Sequence, residues 1–322
     1  MSPRSESPFA RRIVAVVSLA SATALLATGC ASNVAGDEPA PSDTVTIAGV
    51  EIAVDDAAAA LVPSDIADAG IVKVATDAPY APFEMFTEEG SDELTGVDVD
   101  LGRAIGAKLG IDFEFEQQAF DGIIPALQAG NFDVTITAMT SSVERMEVLT
   151  FVDYSASGTG ILVKAGNPEN VVNYLDLCGK EVAVQGATSQ VDLVNNAWQA
   201  ECEAEGLEAI KLAEFPSDAD AQLAITSGKA IASLLTKPSA GYVAKTTNDG
   251  ATFEVVEDAE APNGYDATLN GIGVLKENTE FAQAIQRALQ SLIDDGSYEA
   301  ILDQYGVTGI GIDEATINGA AA

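Results

Sequence analysis

Arg145 stands just after a run of hydroxyls, Thr140-Ser141-Ser142, in the stretch Thr137–Phe151, and it is one of only 15 basic residues against 50 acidic ones. A guanidinium presents planar N–H donors that match a carboxylate in bidentate geometry, and neighbouring hydroxyls and backbone N–H groups can complete an anion's coordination. The plain alternative is a surface ion pair with Glu144 or Glu147. The chain has no histidine, which removes histidine-based triads, histidine metal ligands and the usual near-neutral switch. Asp98-Val99-Asp100 invites a metal reading, but Leu109 stands twelfth from Asp98, where a calcium loop needs Glu. Two carboxylates in a helix's first turn, favoured by its dipole, explain them better. No glycine-rich phosphate loop appears, and no cofactor or metal is implied.

The bulk numbers narrow the partners. At 322 residues the chain can bury one large core or two lobes of moderate size. A net charge of −35 argues against nucleic acid, because phosphate binding needs a basic face, and against peripheral contact with anionic lipid headgroups. A solvated acidic surface on an exported protein accounts for it, as would a salt-rich habitat.

Arg4, Arg11 and Arg12 precede an apolar run, Ile13 to Ala27, followed by Thr28-Gly29-Cys30. That pattern describes an export signal, too short for a stable spanning helix. The cysteine directly after Thr-Gly resembles a bacterial lipobox, although Ala27 stands where that pattern usually has Leu. The expectation is a signal peptide over residues 1–29 and lipidation of Cys30, which would anchor the protein to the outer face of the cell membrane. Outside the cytoplasm the two remaining thiols, Cys178 and Cys202, most simply pair as a structural disulfide.

The elements that must position Arg145 follow from periodicity. Residues 31–43 are rich in Pro, Ala, Asp and Ser and read as a flexible tether, with an amphipathic piece near 55–69 as an N-terminal extension. From Ile71 strand-like and helix-like segments alternate. Strands are expected at 72–75, 113–115, 134–136, 182–184 and 231–235, and helices at 98–109, 122–129, 189–205 and 217–227. Phe281, Ala284, Ile285, Ala288, Leu289, Leu292 and Ile293 keep helical spacing near the end. Alternating strands and helices mean an α/β architecture with largely parallel sheets.

Six stretches, in order, carry a resemblance: VATDAPYAPFE (Val74–Glu84), LTGVDVDLGRAIGAKLG (Leu94–Gly110), FDGIIPALQAGNFDV (Phe120–Val134), TSSVERMEVLTFVDY (Thr140–Tyr154), LCGKEVAVQGATSQ (Leu177–Gln190) and DDGSYEAILDQYGV (Asp294–Val307). Together the chain resembles the family 3 solute-binding proteins of polar amino-acid ABC importers, and Leu-Cys-Gly-Lys with a second Cys downstream resembles actinobacterial members. The resemblance implies a two-lobed periplasmic-binding-protein fold of type II, with two crossover strands and the ligand in the cleft. Lobe 1 is expected at 71–157 plus 266–322 and lobe 2 at 158–265, with 30–70 as anchor, tether and extension. It also implies hinge closure on a small carboxylate-bearing solute, delivery to an ABC permease with its ATPase, and a monomer.

Residue by residue, the resemblance gives Arg145 and Thr140 the ligand's α-carboxylate, with Ala138 at a backbone-contact position. Tyr80 and Phe120 match positions that wall the ligand's side chain; taken alone, both read as ordinary core aromatics. Asp77 matches a position that often meets the ligand's polar end, and is otherwise a turn residue. Gln185 matches a specificity position, and Thr188 and Ser189 lie where a helix N-terminus faces the cleft, Ser189 as a second carboxylate contact or a plain cap.

One site departs from the pattern. Relatives carry Asp where this chain has Ile231, and again at Thr236, the position that pairs with the ligand's α-ammonium. Either another acid, Asp77 or Glu84, takes the ammonium, or the ligand lacks one. The leading reading is capture of a polar amino acid. The others are a modified zwitterion or organic acid without a free α-ammonium, a lipoprotein that senses a ligand for a membrane receptor, and a dehydratase-type enzyme on the same fold, for which no carboxylate is marked as catalytic.

Overall fold

The computed structural model describes residues 44–321, Glu89 excepted. The export signal, Cys30 and the tether over 31–43 lie outside the described residues. The chain enters through a hairpin, β1 (Thr44–Ile47) and β2 (Val50–Ala53), turning at Ala48-Gly49 with both residues at positive φ. Two short helices follow, α1 (Asp56–Ala59) and α2 (Ser64–Ala69). Asp55 caps α1 by accepting the N–H groups of Ala57 and Ala58. The periodicity of 55–69 points to helix; the hairpin left no signal because each strand has only four residues. Ile47, Ile52 and Ala58 are buried in the main core, so this extension is packed rather than loose.

The alternation then runs β3 (Ile71–Thr76), a small ribbon of β4 (Met85–Phe86) and β5 (Leu94–Thr95), α3 (Val97–Leu109), β6 (Asp112–Gln117), α4 (Ile123–Gln128) and β7 (Val134–Thr135). After β8 (Leu149–Lys164) come β9 (Glu181–Gln185), α5 (Ser189–Leu193), α6 (Gln199–Ala204), β10 (Lys211–Phe215), α7 (Asp218–Thr226), β11 (Ala232–Thr236), α8 (Lys237–Thr246) and β12 (Phe253–Val255). The chain returns through β13 (Tyr265–Leu275), α9 (Thr279–Asp294), α10 (Ser297–Gln304) and β14 (Thr316–Ile317).

One continuous sheet carries the fold, in the order β10-β9-β11-β8-β13-β7-β3-β6, with β12 and β14 also on β8. Three parallel strands lie at each end, β6-β3-β7 and β10-β9-β11. Between them run the long antiparallel β8 and β13. The first residues of β8 pair with Gly271–Leu275, and Thr159–Val163 pair with β11. Two of the apolar clusters among the described residues are the largest. One gathers α3 and α9 over β3, β6 and β7, and includes Phe281, Ile285, Leu289 and Leu292 at the spacing read from the sequence. The other gathers Val182, Val184, Trp198, Cys202 and Leu234 around β9 and β11.

The helix expected over 189–205 is not continuous. A π turn, Val194–Trp198, separates α5 from α6. Val194, Trp198 and Cys202 are all buried. Residues four apart drift by about 40° per step on an ideal helix, and the wider turn cancels that drift. Two fixed points demand it: Trp198 stacks on Tyr174 at 4.9 Å, and Cys202 is bonded to Cys178. Smaller boundary differences are a 3-10 turn, Phe120–Gly122, ahead of α4, and Ile231 falling just outside β11.

The disulfide has its Cα atoms 5.8 Å apart and a sequence separation of 24. Closing a loop of that length removes unfolded-state entropy corresponding to about 3 kcal/mol. Replacing both cysteines by Ala is expected to lower the unfolding free energy by roughly that amount in urea titrations, with the denaturation midpoint as the readout.

Candidate functional site

The strand ends and helix starts of both parallel units converge on one cavity. It is lined by every binding residue read from the sequence, Asp77, Tyr80, Phe120, Ala138, Thr140, Arg145, Gln185, Thr188, Ser189 and Thr236, and also by Glu84, Thr137, Gln190 and Asp218. Asp77 and Tyr80 come from the loop after β3, Phe120 from the turn before α4, and Gln185 from the end of β9. Ser189 opens α5 and Thr236 ends β11. The cavity volume is about 30 Å³, because polar groups from opposite walls reach each other across it. Gln185 Nε2 donates to Asp77 at 2.6 Å, and the Thr140 and Ser189 hydroxyls are 3.0 Å apart. The Tyr80 hydroxyl donates to Thr236 Oγ1 at 3.0 Å and accepts the Thr236 N–H at 2.8 Å.

Arg145 is not in a surface ion pair. Its Nη1 donates to the Thr140 carbonyl at 2.9 Å and its Nη2 to the Ala187 carbonyl at 3.0 Å, and the guanidinium carbon lies 5.4 Å from the centre of the Phe120 ring. The ion pairs among the described residues join Lys73 to Glu116, Lys108 to Asp295, Lys180 to Glu169 and Lys237 to Glu257. Burial pulls the guanidinium's pKa down, against the charges of Asp192 and Glu144. A half-buried cation held by neutral carbonyls, with N–H donors to spare, is a receptor for an anion. Thr188 does not cap α5 with its side chain; its hydroxyl donates to the Gln185 carbonyl at 2.8 Å.

The loop that carries Thr140 is fixed from below. Ala138 adopts a left-handed φ of 47°, unfavourable for a residue with a Cβ. Its N–H points at Asp98 Oδ2, 2.6 Å away, and at the Tyr154 hydroxyl, which itself donates to Asp98 Oδ1 at 2.7 Å. Asp98 is therefore more than a first-turn charge on α3: fully buried, it ties that helix to the binding loop. Thr137 donates to Glu84 Oε1 at 2.6 Å and accepts the Asp77 N–H at 3.0 Å.

Four carboxyls on this floor and wall depart from their ordinary ionisation. Burial, then the neighbouring Asp98 charge, pushes Glu84 well above the usual carboxylate range. Burial raises Asp98 to about 6, against the pull of Tyr154 and the Ala138 N–H. Asp98 accepts two strong hydrogen bonds, so Glu84 is the member of the pair that keeps a proton. Burial lifts Asp218 to about 7 and raises Asp77 as well. Of these, Asp218 had no legible role in the sequence. Its only signal was the cluster Ser217-Asp218-Ala219-Asp220 at a helix start, which reads as capping.

With this geometry in view, comparison with known proteins is decisive. A family model, bacterial extracellular solute-binding proteins, family 3, matches residues 72–308. The chain belongs to that family. Among its relatives, the arginine-binding protein ArgT of Corynebacterium glutamicum is 32% identical over 262 residues, 80% of this chain and 82% of the relative. A mutant of the arginine-binding protein of T. maritima superposes with a TM-score of 0.64 at 28% identity, over 75% of this chain and 97% of its own. The ancestral amino acid-binding protein AncCDT-1, a precursor of cyclohexadienyl dehydratase, gives 0.62 at 30% identity, over 75% and 98%. The fold is the type II periplasmic-binding fold, a mixed α/β architecture on a curled sheet. Family 3 is extracellular, and among the described residues no helix is long and apolar enough to cross a membrane.

The raised carboxyls set the pH dependence of stability. A group whose pKa rises on folding contributes stability that is full below its unfolded value and is lost as pH rises through the folded one. For Asp98 and Asp218 that window runs from the ordinary value of 3.8 up to about 6 and about 7. Thermal midpoints are therefore expected to fall between about pH 4 and pH 7 and to level off above that. Asp218→Asn should flatten the upper part of that decline, read by calorimetry across a pH series.

Proposed function

We propose that this family 3 protein is the substrate-binding component of an ABC importer and captures a basic amino acid, holding the carboxylate on Arg145. The observation that carries the reading is the polarity of the cavity. A half-buried guanidinium with donors to spare, near the Thr140 and Ser189 hydroxyls, shares the cavity with Asp77, Glu84 and Asp218. A solute with an anionic head and a cationic tail fits both poles. ArgT and the T. maritima relative are both arginine-binding proteins, which makes arginine the first solute to test.

Tyr80 and Phe120 supply apolar walls for the aliphatic stem. Thr236 can offer no charge, and its hydroxyl and N–H are both engaged with Tyr80. That arrangement favours, as a second reading, a carboxylate ligand without a free α-ammonium, such as a modified zwitterion. The named relatives are binding proteins, which favours capture over the dehydratase-type reading.

We read residues 71–157 with 266–322 as one lobe and 158–265 as the other, with β8 and β13 as the crossovers. The Asp77–Gln185, Tyr80–Thr236 and Thr140–Ser189 bonds then span the two lobes and must part to admit a solute. Each exchanges a protein partner for water or ligand, so its net cost is only about 1 kcal/mol. Closure around the solute would present the face that docks on the permease.

Arg145→Ala is expected to weaken binding of L-arginine at least 30-fold by calorimetric titration, in line with the roughly 2–5 kcal/mol lost when a desolvated charge pair is broken. Retained affinity for carboxylate ligands in that variant would refute the reading. Cys30 is read as the lipid-bearing residue, and Cys30→Ser should move the protein from the membrane fraction into the medium.

A further inference from the structure

We propose that Asp218 receives the solute's side-chain cation and gives up a proton in exchange, so that capture of a cationic solute is linked to pH. The proposal rests on the reading that the carboxylate sits on Arg145. Asp218 is the first residue of α7, is 4% exposed, and lines the cavity. Its Oδ2 accepts from Gln222 Nε2 at 2.6 Å, while Oδ1 has no hydrogen-bond partner among the described residues. A half-satisfied carboxyl in the interior opposes folding, and its neutral form reduces that cost.

The groups that face it are few. Asp77, from the loop after β3, and Tyr80 share the cavity with it and feel or exert its charge, and Gln222 lies on its own helix. Gln185, at the end of β9, is committed to Asp77. Glu84 stands behind Asp77 and feels its charge. None of the ion pairs among the described residues includes Asp218, and the charges that act on Arg145 are those of Asp192 and Glu144. Asp77, Glu84 and Asp218 thus form an acidic wall that no ion pair among the described residues neutralises, while Arg145 is held on the Thr140 and Ala187 carbonyls.

The carboxylate's seat on Arg145 decides which part of the solute Asp218 meets. An α-ammonium is attached to the carbon that bears the carboxylate, so it must remain beside Arg145. A guanidinium or ammonium at the end of a side chain can reach the far pole. The exchange balances simply: the Asp218 carboxylic acid and the incoming cation become a carboxylate–cation pair, and one proton passes to solvent. Burial lifts this carboxyl to about 7, which places the exchange within reach of neutral pH. Below that value affinity for a cationic solute should fall about tenfold per pH unit, and above it affinity should level off.

The test uses L-arginine and L-citrulline, whose urea group keeps nearly the same shape without the charge. Titration calorimetry of the purified wild-type protein, at several pH values and in two buffers of different ionisation heat, reads proton release directly and needs no variant. Arginine is expected to release close to one proton near pH 6 and little near pH 8, and citrulline none at either. Asp218→Asn should lose the pH dependence for arginine and weaken it more than tenfold, yet leave citrulline within a few-fold. Equal losses for both ligands, an unchanged arginine pH profile in Asp218→Asn, or a wild type that binds no basic amino acid overturns the proposal. Loss of both ligands in Arg145→Ala keeps the carboxylate reading intact whichever way Asp218 falls.

Discussion

The hydrogen bond from the Ala138 N–H to Asp98 is the contact on which the rest of the site hangs. It holds a residue with a Cβ in left-handed backbone, and the loop around it fans out to nearly every functional group. Thr137 reaches Glu84 and the Asp77 N–H, the Met139 carbonyl takes the Gly271 N–H of β13, and the Thr140 carbonyl holds Arg145. Ser141 donates to the fully buried Asp153, which also accepts from Thr316 and the Gly319 N–H. A cavity wall and a C-terminal strap are thereby fixed by one short loop. The strain of a single left-handed residue, of order 1–3 kcal/mol, is offset by charge-assisted hydrogen bonds to a carboxylate in a dry interior.

The same desolvation that strengthens Asp98 makes the other acids unusual. Water is excluded from Glu84 and Asp218, and neither meets a cationic partner among the described residues, so both are pushed toward the neutral form. On the exposed surface of so acidic a chain a further carboxylate costs little, because solvent carries the charge. Inside the cavity it becomes a group that demands either a proton or a cation. The protein's surplus of acid therefore has two physical meanings: a hydrated coat outside and a reactive pole within.

Much of the architecture was legible because it is written in local periods. The α9 face, the strand–helix alternation and the end of α3 at Leu109, before Gly110, follow from spacing. The interrupted helix after Ser189 was not legible, since its phase is set by Tyr174 and by Cys178, both distant in sequence. The hairpin over 44–53 was missed because four-residue strands carry too few alternations to stand out. Arg145 could be singled out by its rarity and its neighbouring hydroxyls. Asp218 could not, since an acid at a helix start looks the same whether it faces water or a cavity.

Local order along the chain carries a set of residue types: an arginine after hydroxyls, aromatics in two loops, no histidine, three cysteines, and threonine where the family resemblance implies an acid. All but the last follow from chemistry and order along the chain; the last follows from the resemblance. Tertiary structure alone decided which carboxyls lost their water, and which oxygen was left without a partner. It also decided that residues 108 positions apart, Asp77 and Gln185, would share a hydrogen bond. Ionisation depends on the surrounding dielectric and on through-space charges, and neither is a property of neighbours in sequence.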